Sequence, residues 1–312
     1  MSDDIRSESV DARRVLLDAL VGLRPHLDAF VLIGAQAVYV RTVDRLPGYQ
    51  PFTTDADLVF DPARLADEPL LADAMNAAGF LYSGRPGIWH RTVSHTDQPD
   101  HIVPVDLIVP KEIASSTGRR GARLPGGHGK TAAQKTPGVE GTLVDNDLIE
   151  IGALDKNDTR VVSVAVAGPA ALIVAKAFKL GERLDNPRRL LPKDAGDVFR
   201  LYEANSVRSL VERFERVAAD ERSAEVTRTA MGYLKTLFAT PRSPSIELAV
   251  TALGTLATQY DADRAPHPGS ALGMGGGIDP PSVRLARIAA SRRRAQRPFY
   301  RSVPARGDGL RR

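Results

Sequence analysis

Asp55 and Asp57 stand one residue apart in the run Thr53-Thr54-Asp55-Ala56-Asp57-Leu58-Val59-Phe60, at the entrance to an apolar, β-prone segment. Side chains alternate in an extended chain, so both carboxylates project from one face while Ala56 and Leu58 point to the other. Adjacent carboxylates repel. The pair is tolerated in solvent or around a divalent cation, and hard oxygen donors of this kind suit Mg²⁺ or Mn²⁺. A third carboxylate, Asp106, sits inside the apolar run His101-Ile102-Val103-Pro104-Val105-Asp106-Leu107-Ile108-Val109. An ionised group there must be paired, hydrogen-bonded or metal-bound. Asp106 is the natural third ligand beside Asp55 and Asp57; a strand-end position open to water or to an arginine is its alternative.

The elements that must position these groups can be read around them. Phe30 to Ile33 is apolar and β-prone, Gly34 interrupts it, and Ala35 to Val43 continues as a helix, which places Gly34 where a strand hands over to a helix N-terminus. Free N–H groups and the positive dipole end favour an oxyanion there, and a residue without Cβ permits close approach. Gly34, Ala35 and Thr54 are therefore candidate phosphate contacts. Gly168-Pro169 opens a later helix in which Lys176, Lys179 and Arg183 recur at i, i+3, i+7 and share a face, with Lys176 interrupting an apolar sequence. A further helix begins near Lys193-Asp194, with Asp197 one turn on. Acids in a first turn are favoured by the helix dipole alone.

The strand, glycine turn, helix and D-x-D strand together resemble the nucleotidyltransferase superfamily with the polymerase-β-like fold. L-I-V-A-K-A-F-K-L-G-E-R, followed by K-D-A-G-D-V-F-R-L, is similar to the third and fourth motifs of the AbiEii/AbiGii-type toxin nucleotidyltransferases. The resemblance covers roughly residues 30–202. It implies an α/β (α+β) fold with a mixed sheet flanked by helices and a C-terminal helical domain. It further implies an NTP-dependent enzyme using Mg²⁺ or Mn²⁺ and moving a nucleoside monophosphate onto an acceptor, with RNA such as tRNA favoured, and the toxin of a pair with a separately encoded antitoxin. Asp55, Asp57 and Asp106 would hold metal, Lys176 and Lys179 would bind nucleotide phosphates, and Asp194 would act as a catalytic carboxylate or base. Ala35 departs from the Gly or Ser usual in the family and removes a possible hydroxyl ligand. Two other readings share the fold: a catalytically silent nucleic-acid-binding or regulatory protein, and a nucleotidyltransferase acting on a small molecule such as an aminoglycoside.

Composition bounds the rest. The chain has 312 residues, 43% of them hydrophobic, enough for a substantial core, and contains no cysteine, which excludes disulfides and thiolate metal sites. The acidic N-terminus lacks an apolar signal region and no segment suits a membrane span, so a cytoplasmic location is expected. From Arg284 to Arg312 there are ten arginines and one acid, a net of +9 within a total of +4, which leaves the preceding residues at −5. Such a tail attracts a polyanion or simply solubilises. The expected organisation is a catalytic domain over 1–166, a helical domain closing the nucleotide cleft over 167–261, and a Gly/Pro linker with a basic tail over 262–312.

Along the chain, the pattern predicts a first helix over Val10 to Leu23, a helix over Ala63 to Ala78 kinked or divided at Pro69, and a hairpin from Ile88 to Val93 and His101 to Val109. A strand over Val161 to Val166 precedes the Lys176 helix, and three helices near 207–219, 224–238 and 245–260 form a small bundle. The glycine-rich, basic stretch 111–146 contains G-G-H-G-K-T, but Leu124 stands where a Walker A loop needs its first glycine. It reads as a surface loop able to offer Arg119, Arg120, Arg123 or Lys130 to phosphates. His90, His95, His101 and His128 show no regular zinc spacing.

Overall fold

The structure is a computed structural model and describes residues 2–42, 53–96, 99–114, 120–186, 189–238 and 243–253. The turn-rich insert around Pro47, Gly48 and Pro51, Arg119, and the whole of 262–312 with the arginine tail lie outside those residues.

A mixed eight-stranded sheet is flanked by helices. Its centre is β1 (Phe30–Ile33), buried on both faces, with β2 (Ala56–Phe60) antiparallel beside it and Ile33 opposite Asp57. The expected hairpin forms from β4 (Ile88–Val93) and β5 (His101–Pro110), with β3 (Leu81–Tyr82) at the edge. β5 returns parallel to β2, with Asp106 opposite Asp57. A short β6 (Gln134–Thr136) pairs in parallel with the end of β5. Beyond β1 lie β8 (Val161–Ala167), parallel to it, and then β7 (Asn146–Gly152), antiparallel to β8, so the order is β3-β4-β5-β2-β1-β8-β7.

α1 (Ser2–Gly22) buries Ala12, Leu16, Ala19 and Leu20 on one stripe and packs on the sheet. α2 (Gly34–Thr42) follows β1 without a linker. The helix expected over Ala63 to Ala78 is instead a 3₁₀ turn, Pro62–Arg64, and a separate α3 (Leu71–Ala77). Pro69 lacks an N–H and restricts the residue before it, so no continuous helix crosses this point. The G-G-H-G-K-T segment helps to cap α3: His128 Nδ1 accepts from the Leu71 N–H at 3.0 Å, and its Nε2 lies 2.9 Å from the Ala66 carbonyl.

α4 (Pro169–Gly181) and α5 (Pro192–Ala204) are joined by α6 (Val207–Ala219), α7 (Ala224–Phe238) and α8 (Pro244–Leu253). Buried Asp145 fixes the start of α4, accepting from the Ala171 N–H through Oδ2 and from Arg213 of α6 at 2.6 Å through Oδ1. Arg41 at the end of α2 donates to the Val166 and Ala167 carbonyls and pairs with Asp147, tying α2 to the β7–β8 hairpin. The main core runs from the sheet into Leu172, Ile173, Val198 and Leu201, so apolar packing is continuous across residues 166 and 167. No helix among the described residues is long and apolar enough to cross a membrane.

Candidate active site

β2 and β5 are parallel neighbours, so Asp57 and Asp106 lie side by side on one face of the sheet. Asp55 lies two residues before Asp57, just ahead of β2, and its charge acts on both. Burial, then repulsion from Asp55 and Asp106, pushes the Asp57 carboxyl up to about 7. Burial and repulsion from Asp55 push Asp106 up to about 6, against the opposing hydrogen bond from Gln134 and the charges of Arg85 and Lys179. Two carboxyls raised by burial and by a third carboxylate beside them are a donor set that a hard divalent cation relieves.

Gly34 has φ +71°, a left-handed conformation, and a Cβ placed there would come within 2.0 Å of Asp57 Oδ2. The glycine is thus demanded twice, by its backbone and by the carboxylate packed against it. The N-terminus of α2 and the Asp57 carboxylate share one corner of the sheet. Ala35, also buried there, offers backbone and no hydroxyl.

Several supporting residues carry no motif. Thr53, buried while Thr54 is exposed, donates from Oγ1 to Asp55 Oδ1 at 2.5 Å. Gln36 of α2 donates to the Asp55 carbonyl at 3.2 Å and to the Ala12 carbonyl, and accepts from Arg13 Nε at 2.7 Å. Gln134 of β6 donates to Asp106 Oδ2 at 2.9 Å. Thr53 was legible only as a neighbour of D-x-D. Gln36, Gln134 and Arg85 left no signal, because their roles depend on strand order.

Lys176 and Asp194 are less open than their motif implies. Lys176 Nζ lies 2.9 Å from Asp194 Oδ1 and 2.8 Å from Asp197 Oδ2, all three groups buried. Burial would lower the Lys176 pKa, but the two carboxylates outweigh it and raise it. Burial would raise that of Asp194, but Lys176 and Lys179 outweigh it and lower it, and Asp194 has 0% exposure. An enclosed carboxylate with a lowered pKa is a poor proton acceptor and a good anchor. Lys179, in contrast, is 43% exposed at its side chain, 3.4 Å from Asp194, and its charge reaches both Asp57 and Asp106.

No protein-family model matches the chain, and no curated protein matches it. Among solved structures, an antigenic nucleotidyltransferase-like protein from Paracoccidioides brasiliensis is similar over 78% of this chain and 93% of that one, at 12% identity and a TM-score of 0.42.

Among the described residues, one set of three donors has its ligand atoms within 4.8 Å of one another, and it is Asp11, His95 and His101. Asp55, Asp57 and Asp106 are not drawn to that spacing. Of the phosphate-contact candidates in the 111–146 stretch, Arg120, Arg123 and Lys130 fall among the described residues.

Proposed function

We propose that the chain is a metal-dependent nucleotidyltransferase. The observation that carries this reading is the side-by-side placement of Asp57 and Asp106, coupled to Asp55, against a glycine-initiated helix N-terminus. Asp55, Asp57 and Asp106 would hold Mg²⁺ or Mn²⁺, whose chemistry is to neutralise a triphosphate and make an acceptor oxygen more acidic. The raised carboxyls of Asp57 and Asp106 fit such a group, since a cation favours their ionised forms.

The remaining roles fall to the chain's own groups. The N–H groups at the start of α2, from Gly34 and Ala35, face the phosphates. Lys179 is the cation placed to meet them, with Lys176 held by Asp194 and Asp197 as the buried charge behind it. Asp106, the carboxylate at the far side of the pair, orients the acceptor or takes its proton. The acceptor oxygen attacks the α-phosphorus, the bond from that phosphorus to the bridging oxygen breaks, and pyrophosphate leaves. Thr53 and Gln36 keep Asp55 in place.

RNA, with tRNA favoured, is the acceptor that the +9 tail supports, since a basic segment recruits a polyanion to a cleft whose carboxylates repel it. Under a toxin role, expression slows growth and Asp55→Ala relieves it, and a separately encoded antitoxin is implied. The test is incubation with Mg²⁺, total RNA and each NTP labelled in turn at the α- or γ-phosphate. Label moving to RNA from the α-position alone supports the reading. Transfer from the γ-position, or from neither, overturns it.

A further inference from the structure

Asp11 and two histidines meet on the other side of the sheet. Asp11 lies on α1 and is 1% exposed, His95 follows β4, and His101 begins β5. His95 Nε2 is 2.7 Å and His101 Nε2 3.4 Å from the same atom, Asp11 Oδ2. The Nε2 atom of His101 is buried and makes no hydrogen bond among the described residues, which leaves a polar lone pair or proton facing a carboxylate without good geometry. The imidazole centroids are 5.6 Å apart with the rings near parallel. Parallel rings do not aim their in-plane lone pairs at one centre, but the donor atoms of all three residues lie within 4.8 Å of one another, within reach of a single ion. Binding an ion there requires the rings to turn out of their parallel arrangement about the soft χ2 torsions. The other carboxylate oxygen, Asp11 Oδ1, is 3.7 Å from Arg14 Nη1, a contact that orients the carboxylate from behind as outer-shell partners of metal ligands do.

We propose that Asp11, His95 and His101 form a zinc-class site, distinct from the carboxylate site and independent of the nucleotidyl-transfer reading. Two imidazole nitrogens and one carboxylate oxygen select a borderline ion such as Zn²⁺ or Co²⁺ over Mg²⁺, with a fourth position left for water. The two sites are on opposite faces: His101 is an odd number of residues from Asp106 and shares the α1-covered side of β5 with buried Val103, Val105 and Leu107. Five residues of strand put about 16 Å between them. An ion there ties α1 to the β4–β5 edge of the sheet, and α1 is the helix whose Arg13 braces Gln36 behind Asp55. No spacing rule could find the site, because its third ligand lies 84 residues before His95.

The test uses the full chain with any affinity tag removed, titrated with Zn²⁺ against a chromophoric chelator and with Co²⁺ followed by its visible absorption. The expected result is one equivalent of Zn²⁺ bound at about 1 µM or tighter, a tetrahedral Co²⁺ spectrum, and no displacement by millimolar Mg²⁺. His95→Ala and His101→Ala, partly exposed and so safe for folding, each weaken binding by about 100-fold, while His90→Ala and Asp57→Asn bind as wild type. Tight binding that survives both histidine substitutions, or Zn²⁺ affinity no better than that of His101→Ala, overturns the proposal.

Discussion

Each residue at the carboxylate corner makes a separate commitment. Asp57 keeps its proton up to about pH 7 in the folded chain, whereas the unfolded carboxyl releases it near 3.8. Between those values the native state binds more protons, so stability falls as pH rises through that window. Asp57→Asn should therefore stabilise the metal-free protein above pH 7 by about 1–3 kcal/mol and flatten its Tm–pH curve, with Mg²⁺ closing the gap for wild type only. Parallel curves for the two proteins, measured by thermal denaturation, would count against the coupling. Gly34→Ala meets Asp57 Oδ2 and a left-handed backbone together, so it should lower Tm and activity, whereas Ala35→Gly leaves both near wild type. The two lysines should separate: Lys179→Ala raises the KM for NTP about tenfold with Tm unchanged, and Lys176→Met takes the shortest ion pair from two buried aspartates, leaving Asp194 to Lys179 and Arg183 and Asp197 to Arg200, and costs about 2–4 kcal/mol. Steady-state kinetics and urea unfolding distinguish them.

At the scale of elements, legibility followed locality. The Phe30 strand, the Gly34 turn and the β4–β5 hairpin were evident because periodicity and turn residues act within a few positions. The Asp106 strand was evident for a different reason, that a charge inside an apolar run demands a partner. Thr54 was named as a phosphate contact and is exposed, whereas Thr53, which the same alternation sets on the Asp55 side, is the buried residue bonded to Asp55. β7 escaped because Leu148-Ile149-Glu150-Ile151 is short and follows a glycine-rich stretch, and its partner β8 supplies the register. Asp145, placed in that same stretch, holds the α4 N-terminus and Arg213 with no sequence signal at all. Asp145→Ala should cost about 1–3 kcal/mol in chemical denaturation, since it removes the carboxylate that accepts from the start of α4 and from Arg213, which keeps only Asp147; a loss below about 0.5 kcal/mol would contradict that role.

Across the whole molecule, the strand order β5-β2-β1 sets Asp106 beside Asp55 and Asp57 at one helix start, the corner proposed to transfer a nucleotide. The flanking helices add cations from α4 and a buried anchor from α5, and their core is continuous with that of the sheet. The most direct measurement is the rate of α-phosphate label transfer in Mg²⁺ for wild type and for Asp55→Asn, Asp57→Asn and Asp106→Asn, each checked for native circular dichroism. The predicted result is a loss of about 10³-fold or more in all three, with Thr54→Ala within a few-fold of wild type. Retention of wild-type transfer by any one of the three amide variants would contradict a shared role for these carboxylates in the transfer.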